Sequence, residues 1–158
     1  MTGFTPSAHP YRDLGVIDAR GPRTNQAVIG ALSAVALVTG AWWIVTLLAL
    51  QLLLGLALGR RWCLPCLAYF ELIQPRFGEG PLEDSRPPRF ANKLGAGCLA
   101  GATSFFLAGL PAAGWLLTGL VAALALLAAV TGFCTGCWVH KLIYGECEVC
   151  DVPLPARG

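Results

Sequence analysis

Two long stretches without a charged side chain constrain the fold of this chain more than any other feature. They run from 27 to 58 and from 94 to 139. Each exceeds the roughly 20 residues that an α-helix needs to cross the hydrocarbon core of a bilayer, so each should fold back on itself. The chain is 56% hydrophobic and 13% charged, with a mean hydropathy of +0.64. These values are typical of a membrane protein rather than of a soluble domain.

Glycine, proline and tryptophan indicate where each stretch turns. The first turn is predicted around Gly40, in VTGAWW, and the second around Pro111 and Gly114, in GLPAAGW. Gly and Pro interrupt helices, and Trp favours the membrane interface. The sequence therefore predicts an all-α membrane protein with four transmembrane helices in two hairpins, and short interfacial helices after each hairpin. The predicted helices are 24–39, 41–61, 91–109 and 112–132.

The positions of the 11 Lys and Arg residues predict the orientation in the membrane. All of them lie before residue 24, between 60 and 93, or after 140. With an even number of spans these three segments share one face, which the positive-inside rule assigns to the cytoplasm. We therefore expect a multi-pass protein of the inner (plasma) membrane, in contact with the lipid bilayer, with both termini in the cytoplasm. A net charge of +2 gives no reason to expect nucleic acid as a partner.

A short polar pattern occurs twice. DARGPR and DSRPPR share the form D-x-R-x-P-R, and each precedes an apolar stretch with Trp at its turn and then an aromatic-flanked CxxC. This order predicts a tandem duplication with both copies in the same direction, related by an axis roughly along the membrane normal. The predicted organisation is a polar tail (1–17), a first repeat (18–75), a cytoplasmic linker (76–83), a second repeat (84–144) and a Cys-containing tail (145–158).

The repeated arginines have two interpretations. In the first they only mark helix starts, with Pro22 and Pro88 in the first turns and Asn25 or Asn92 as caps. In the second their guanidinium groups gather near the repeat axis and bind an anion, since they match oxyanion geometry. The candidate anion-binding residues are Arg20, Arg23, Arg86 and Arg89.

Six of the seven cysteines occur in CxxC pairs. This spacing lets two thiolates bind one tetrahedral metal, or lets one thiolate attack while the other resolves the mixed disulfide. A reducing cytoplasm disfavours permanent disulfides, which leaves free dithiols, reversible redox pairs or metal thiolates. The seventh, Cys98, is expected to be a small buried hydrophobe. The pairs are Cys63 and Cys66, Cys134 and Cys137, and Cys147 and Cys150.

The dithiol and metal interpretations use different cysteines. Helices are expected to start after Cys63 and after Cys134, and a helix N-terminus lowers the pKa of a thiol. The candidate catalytic residues are therefore Cys63, Cys66, Cys134 and Cys137, with Cys134 as nucleophile and Cys137 as resolving thiol. Parallel repeats would also place these four sulfurs at one membrane depth. In the metal interpretation any four of the six paired cysteines, including Cys147 and Cys150, hold a structural zinc ion.

Three runs resemble a known family. DARGPRTNQAV, QPRFGEGPLEDSRPPRFANKLG and GFCTGCWVHKLIY are similar to the bacterial membrane protein family catalogued as domain of unknown function 4395. The resemblance implies a small multi-span membrane protein in the company of thioredoxin-like and sulfurtransferase proteins, and maps the G-F-C-x-G-C ending onto Cys134 and Cys137. The pair Cys63 and Cys66 and the pair in the tail are not regular features of that family.

Three functions remain open from the sequence. The leading expectation is an integral membrane thiol protein that passes electrons or sulfane sulfur to or from a thioredoxin-like or sulfurtransferase partner. The alternatives are a structural or assembly protein with a four-cysteine zinc site, and a small transporter component for a sulfur-containing anion. The uncharged stretches argue against transport, because no charge lines a path. A homo-oligomer or a larger membrane complex is expected, since small residues such as Gly101 and Ala102 allow close helix contact.

Overall fold

The structure is a computed structural model that describes residues 16–78, 80–134, 138–139 and 142–143. The chain is mostly helical, as predicted, and its long helices form a bundle. The elements, in chain order, are β1 (Val16–Asp18), α1 (Arg20–Thr39), α2 (Trp42–Leu58), a 3-10 turn (Arg60–Trp62), α3 (Leu64–Ala68), a π-helical turn (Tyr69–Ile73), α4 (Gln74–Phe77), β2 (Leu82–Asp84), α5 (Arg86–Leu107) and α6 (Pro111–Thr131).

The first helix of each predicted hairpin begins earlier than the sequence indicated. Helix α1 begins at Arg20 and α5 at Arg86, so the last four residues of each polar pattern form a first helical turn, whereas its opening aspartate lies in a strand. Prolines are compatible with these positions because the first N–H groups of a helix have no intrahelical partner. Asn25 and Asn92 consequently lie inside the helices, and the interpretation that they cap them is wrong.

The turn within the first hairpin lies where the sequence predicted it, and the turn within the second hairpin lies slightly earlier. Gly40 ends α1 in a left-handed conformation (φ 68°), which confirms the first predicted turn. The second turn lies at 108–110, where Gly109 has φ 75°, and Pro111 begins α6. Gly114 lies inside α6 rather than in the turn, and the ring of Phe106 packs against it. A Cβ atom there would lie 2.7 Å from Phe106 Cε1.

A two-stranded antiparallel ribbon, which the sequence analysis did not predict, joins the starts of α1 and α5. Val16, Ile17 and Asp18 of β1 lie opposite Asp84, Glu83 and Leu82 of β2. The local twofold axis of this ribbon passes between Ile17 and Glu83, so it relates positions that are 66 residues apart. Asp18 and Asp84, which open the two polar patterns, have the same separation. The tandem duplication itself stays a prediction.

The helices pack across the two hairpins. Helix α1 packs mainly on α6, α2 packs mainly on α5, and α5 also packs on α6. The α1–α6 contact is close, because a Cβ atom on Gly30 would lie 2.8 Å from Leu126 Cγ and 3.0 Å from the Leu126 backbone nitrogen. The buried cluster is mainly aliphatic and includes Ile29, Ala36, Leu48, Leu52 and Leu99.

Polar side chains lie inside the bundle and large apolar side chains outside it. Asn25, Ser33 and Thr118 are fully buried, whereas Val38 is 88% exposed and Val130 is 85% exposed. In the described part of the chain one helix, α6, is long and apolar enough to cross a membrane, judged by length and composition, and 28% of its most apolar 18-residue window is buried. Helix α2 is also apolar but has 17 residues. The prediction of four spans goes beyond this finding.

Candidate functional site

The first cysteine pair is a disulfide in the structure. Cys63 occupies the N-cap position of α3 and accepts, at its carbonyl, a hydrogen bond from the Leu67 N–H. One turn of helix then brings Cys66 back towards Cys63, with 5.3 Å between the two Cα atoms. This separation is in the range found for disulfides. The prediction that a helix starts after Cys63 is confirmed, and both cysteines are 8% exposed.

A cavity of about 160 Å³ lies beside this disulfide. The cavity lies between the C-terminal half of α2 and the start of α5. Both Cys63 and Cys66 line it. One wall is apolar and belongs to α2, with Leu52 and Leu56. The polar groups around the cavity are Gln51, Ser85, Arg89 and Asn92. A small ligand in this space would therefore contact the sulfur atoms, aliphatic carbon and hydrogen-bonding groups at once.

The amide of Gln51 is the least satisfied polar group of this cavity. Its Nε2 atom is buried and has no hydrogen-bond partner among the described residues. A buried amide without a partner costs about 1–3 kcal/mol, so such groups usually mark a bound water, a ligand or strain. Gln51 was not among the residues predicted from the sequence, although it is one of few polar residues in the apolar stretch 27–58.

Asn25, on α1, lies between the disulfide and Asn92 of α5. Its Oδ1 atom lies 3.7 Å from Cys63 Sγ, and its Nδ2 donates to Asn92 Oδ1 at 3.3 Å. A sulfur atom in a disulfide carries no proton, so the Cys63 contact can become a hydrogen bond only when the pair is reduced. Asn25 is therefore placed to respond to the redox state of Cys63.

Cys134 contacts Gln26, the residue of α1 that follows Asn25. Gln26 Nε2 donates to Cys134 Sγ at 3.3 Å, and the cysteine is half-buried. Cys134 lines a second cavity of about 160 Å³ together with Cys98, which is also half-buried, and Asn92. Because Asn25 and Gln26 are consecutive, Cys63 and Cys134 contact the same turn of α1. Cys137, Cys147 and Cys150 lie outside the described residues.

The four candidate anion-binding arginines have different surroundings. Arg89 lines the first cavity. Arg23 lies against Gly132 at the end of α6, where a Cβ atom would be 2.8 Å from Arg23 Nη2. Arg20 and Arg86 are exposed first residues of α1 and α5. Arg89 is the member of this set that the structure places beside the disulfide.

The predicted zinc site also depends on residues outside the described part. Within 16–78, 80–134, 138–139 and 142–143 the structure has no group of three or more His, Cys, Asp or Glu side chains that could hold a metal. The sulfurs of Cys63 and Cys66 are not thiolates while they are bonded to each other, so they are not zinc ligands in this state. Zinc binding stays a prediction.

A buried carboxylate beside the disulfide was missed by the sequence analysis. Asp18 is fully buried and accepts three hydrogen bonds of 2.9 Å, from the backbone N–H of Arg20, the backbone N–H of Gly80 and the hydroxyl of Tyr69. Burial, and then the hydrogen bond to Asp18 and its negative charge, raise the pKa of Tyr69 to about 12. The Tyr69 hydroxyl therefore stays protonated and donates over the physiological pH range.

This carboxylate fixes the helix that carries the cysteines. Tyr69 comes three residues after Cys66 and contacts Phe70 edge to face, with 5.4 Å between ring centroids. Cys63, Cys66, Tyr69 and Phe70 form one buried cluster. Gly80 is needed at its position, since a Cβ atom there would lie 2.7 Å from Asp18 Oδ1. The only signal in the sequence was the aspartate that opens the repeated pattern.

These features define a mostly helical protein with a CxxC pair in disulfide geometry beside a partly polar cavity. The chain belongs to the family described as domain of unknown function (DUF4395), whose model matches residues 17–144. This confirms the resemblance on the repeated polar pattern, the linker and the G-F-C-x-G-C ending. No curated protein and no solved structure matches the chain.

Proposed function

We propose that the chain is an integral membrane protein whose four long helices all cross the bilayer. The support is the distribution of side chains, with exposed apolar groups such as Leu116 (76%) on the outside and buried amide and hydroxyl groups inside. Soluble monomers rarely expose so much contiguous apolar surface, whereas bilayer-spanning helices face lipid with it. The charges of α1 and α5 are confined to the helix starts, where long side chains such as Lys93 reach the membrane interface.

Cysteine labelling tests this topology. In a cysteine-free background, Thr39→Cys and Leu110→Cys place an exposed thiol at the two turns, and Phe77→Cys places one at the opposite end of the bundle. An impermeant maleimide added to intact cells should label the first two and not the third, because positive segments stay in the cytoplasm. Labelling of Phe77→Cys alone would show that the orientation in the membrane is the reverse of the proposed one. Labelling of all three variants in intact cells would contradict the four-span arrangement.

We further propose that Cys63 and Cys66 are a reversible redox pair that exchanges with a dithiol protein of the thioredoxin type. A thiolate of the partner attacks one sulfur of the disulfide and forms a mixed disulfide, which the second partner thiol then resolves. The products are the Cys63 and Cys66 thiols and a disulfide in the partner, with two electrons and two protons transferred. Cys134 and Cys137 are proposed as a second dithiol on the same side of the membrane.

The observation that carries this proposal is the position of Cys63 and Cys66. The pair lies in bonding geometry at the charged end of the bundle, lines a cavity, and contacts an amide that can accept a hydrogen bond from the reduced Cys63. A purely structural disulfide would be disfavoured in the cytoplasm, on the side where the topology proposal places this end.

Trapping of the mixed disulfide tests the exchange. The full chain with Cys63 and Cys66 as its only cysteines should be reduced by thioredoxin, with two thiols per chain appearing in a mass-tagging assay. A thioredoxin whose resolving cysteine is replaced by serine should remain covalently attached. The control Cys98→Ala, in the otherwise natural chain, should leave the reduction unchanged, since Cys98 lines the other cavity. A pair that thioredoxin does not reduce, although a small dithiol reductant does, would overturn the proposal.

A further inference from the structure

We propose that the cavity beside the disulfide binds the head group of a lipid-soluble quinone, which accepts the two electrons of the reduced Cys63 and Cys66. The inference rests on the proposed redox function and names the second substrate of the same site. It is carried by Gln51, by the apolar wall on α2 and by the position of both sulfur atoms on the cavity surface.

The depth of Gln51 lies within reach of the head group of a ligand dissolved in the membrane. Gln51 precedes the last residue of α2, Leu58, by seven positions, which corresponds to ~10 Å along the helix axis. At this depth in a bilayer an unpaired amide N–H has no bulk water to bind. An acceptor oxygen from a ligand would complete the hydrogen bonding of Nε2. Quinones supply carbonyl oxygens at such depths.

The rest of the lining suits a flat apolar ring with oxygen acceptors. Leu52 and Leu56 supply aliphatic contact, and Gly55 and Gly59 leave room because they have no side chain. Asn92, on α5, adds an amide on the other side of the cavity. Ionic groups placed against the leucines would carry a desolvation cost. The lining therefore offers leucine contact to an apolar ring and polar partners to its carbonyl oxygens.

The reaction is balanced between the two groups. The thiols of Cys63 and Cys66 lose two protons and two electrons as their sulfur–sulfur bond forms, and the quinone takes up both to become the quinol. Reduction of the disulfide by the dithiol protein restores the thiols. The pair would thus transfer electrons from a cytoplasmic dithiol to a carrier in the membrane.

Oxidation of the reduced protein by a soluble quinone tests the assignment. The full chain with Cys63 and Cys66 as its only cysteines, in lipid nanodiscs, is reduced chemically and mixed with a decyl benzoquinone whose ring is fully substituted, so that thiols cannot add to it. One quinol should form per disulfide. Gln51→Leu should raise the quinone concentration that gives half-maximal oxidation rate about tenfold, the effect of one lost hydrogen bond of about 1.4 kcal/mol, with little change in the maximal rate.

Two further variants test whether the cavity binds the quinone or is only a polar space. Gly55→Leu should fill the cavity and abolish oxidation by the quinone, while diamide still forms the disulfide. Thr46→Val, on the same helix but bonded to Thr103 away from the cavity, should behave as the parent. The calorimetric signal of quinone binding to the oxidised protein, which cannot react, should be lost in Gly55→Leu and kept in Thr46→Val.

The outcomes distinguish this inference from the proposed function. If thioredoxin reduces the pair but the quinone forms no quinol, or if Gln51→Leu and Gly55→Leu react like the parent, then the cavity holds only water and the inference is overturned. If the quinone oxidises the chemically reduced pair with the expected dependence on Gln51, but thioredoxin does not reduce it, then the quinone site stands and the proposed exchange partner is wrong.

Discussion

Replacement of Asp18 by alanine is expected to lower the free energy of unfolding by about 3 kcal/mol. The substitution leaves the N–H groups of Arg20 and Gly80 and the hydroxyl of Tyr69 without their acceptor. These donors come from three separate segments, so the start of α1, the segment before β2 and the cysteine-bearing helix all lose a common anchor. Glu83→Ala, an exposed position on β2, is the matched control and should change stability by less than about 0.5 kcal/mol.

Unfolding in detergent micelles measures this difference, and the titration of Tyr69 provides an independent measurement. With Tyr11 and Tyr144 replaced by phenylalanine in both proteins, so that ultraviolet absorbance reports Tyr69, the phenol of the parent should titrate at about 12. In Asp18→Ala the pKa should move down towards 10.0, with the part caused by burial remaining. Because the pKa is raised in the folded state, its contribution to stability is complete below about pH 10 and is lost as the pH rises to about 12. Equal stability of Asp18→Ala and Glu83→Ala would contradict the role given to Asp18.

Replacement of Gly30 by alanine is expected to lower the free energy of unfolding by about 2 kcal/mol. The new Cβ would meet both the side chain and the backbone nitrogen of Leu126, so α1 and α6 would have to move apart. A flexible side chain could rotate away, but a backbone atom cannot.

Gly97→Ala is the control for Gly30→Ala. Gly97 lies on α5, is exposed, and has no atom within 4 Å of the position that a Cβ would take. Alanine there should be neutral or slightly stabilising, because alanine favours a helix by up to about 1 kcal/mol relative to glycine. Thermal unfolding of the two variants in the same detergent measures the effect. A loss of stability shared by both variants would show that glycine is needed for a reason other than the α1–α6 contact.

The long helices were predictable from local features of the sequence. The uncharged stretches indicated the long helices, and Gly40 indicated the first turn, because a left-handed residue after a helix is usually glycine. The starts of α1 and α5 were placed too late, because polar residues and prolines are more common outside helices than within them. The hydrogen-bonding rules allow both residue types in a first turn, so the sequence was compatible with either start.

The surroundings of the cysteines were not predictable in the same way. The CxxC spacing indicated that Cys63 and Cys66 could meet, since one helical turn suffices. The contacts of Asn25 with Cys63 and Asn92, the burial of Asp18 and the ribbon of β1 and β2 all join residues that are far apart in the chain. Strands of three residues leave no alternating pattern to read, and the packing of α1 on α6 has no local signature.

The crossed packing of the two hairpins has a consequence for how the protein is made. The principal neighbour of α1 is α6, the last of the long helices in the described residues, and that of α2 is α5. When only α1 and α2 have been synthesised, Asn25 lacks Asn92 and Gly30 lacks Leu126. Helices α1 and α2 therefore lack their main packing partners until α5 and α6 have been synthesised. Halves divided between α4 and β2 and produced as separate polypeptides should assemble with each other, since each supplies the surface that the other lacks.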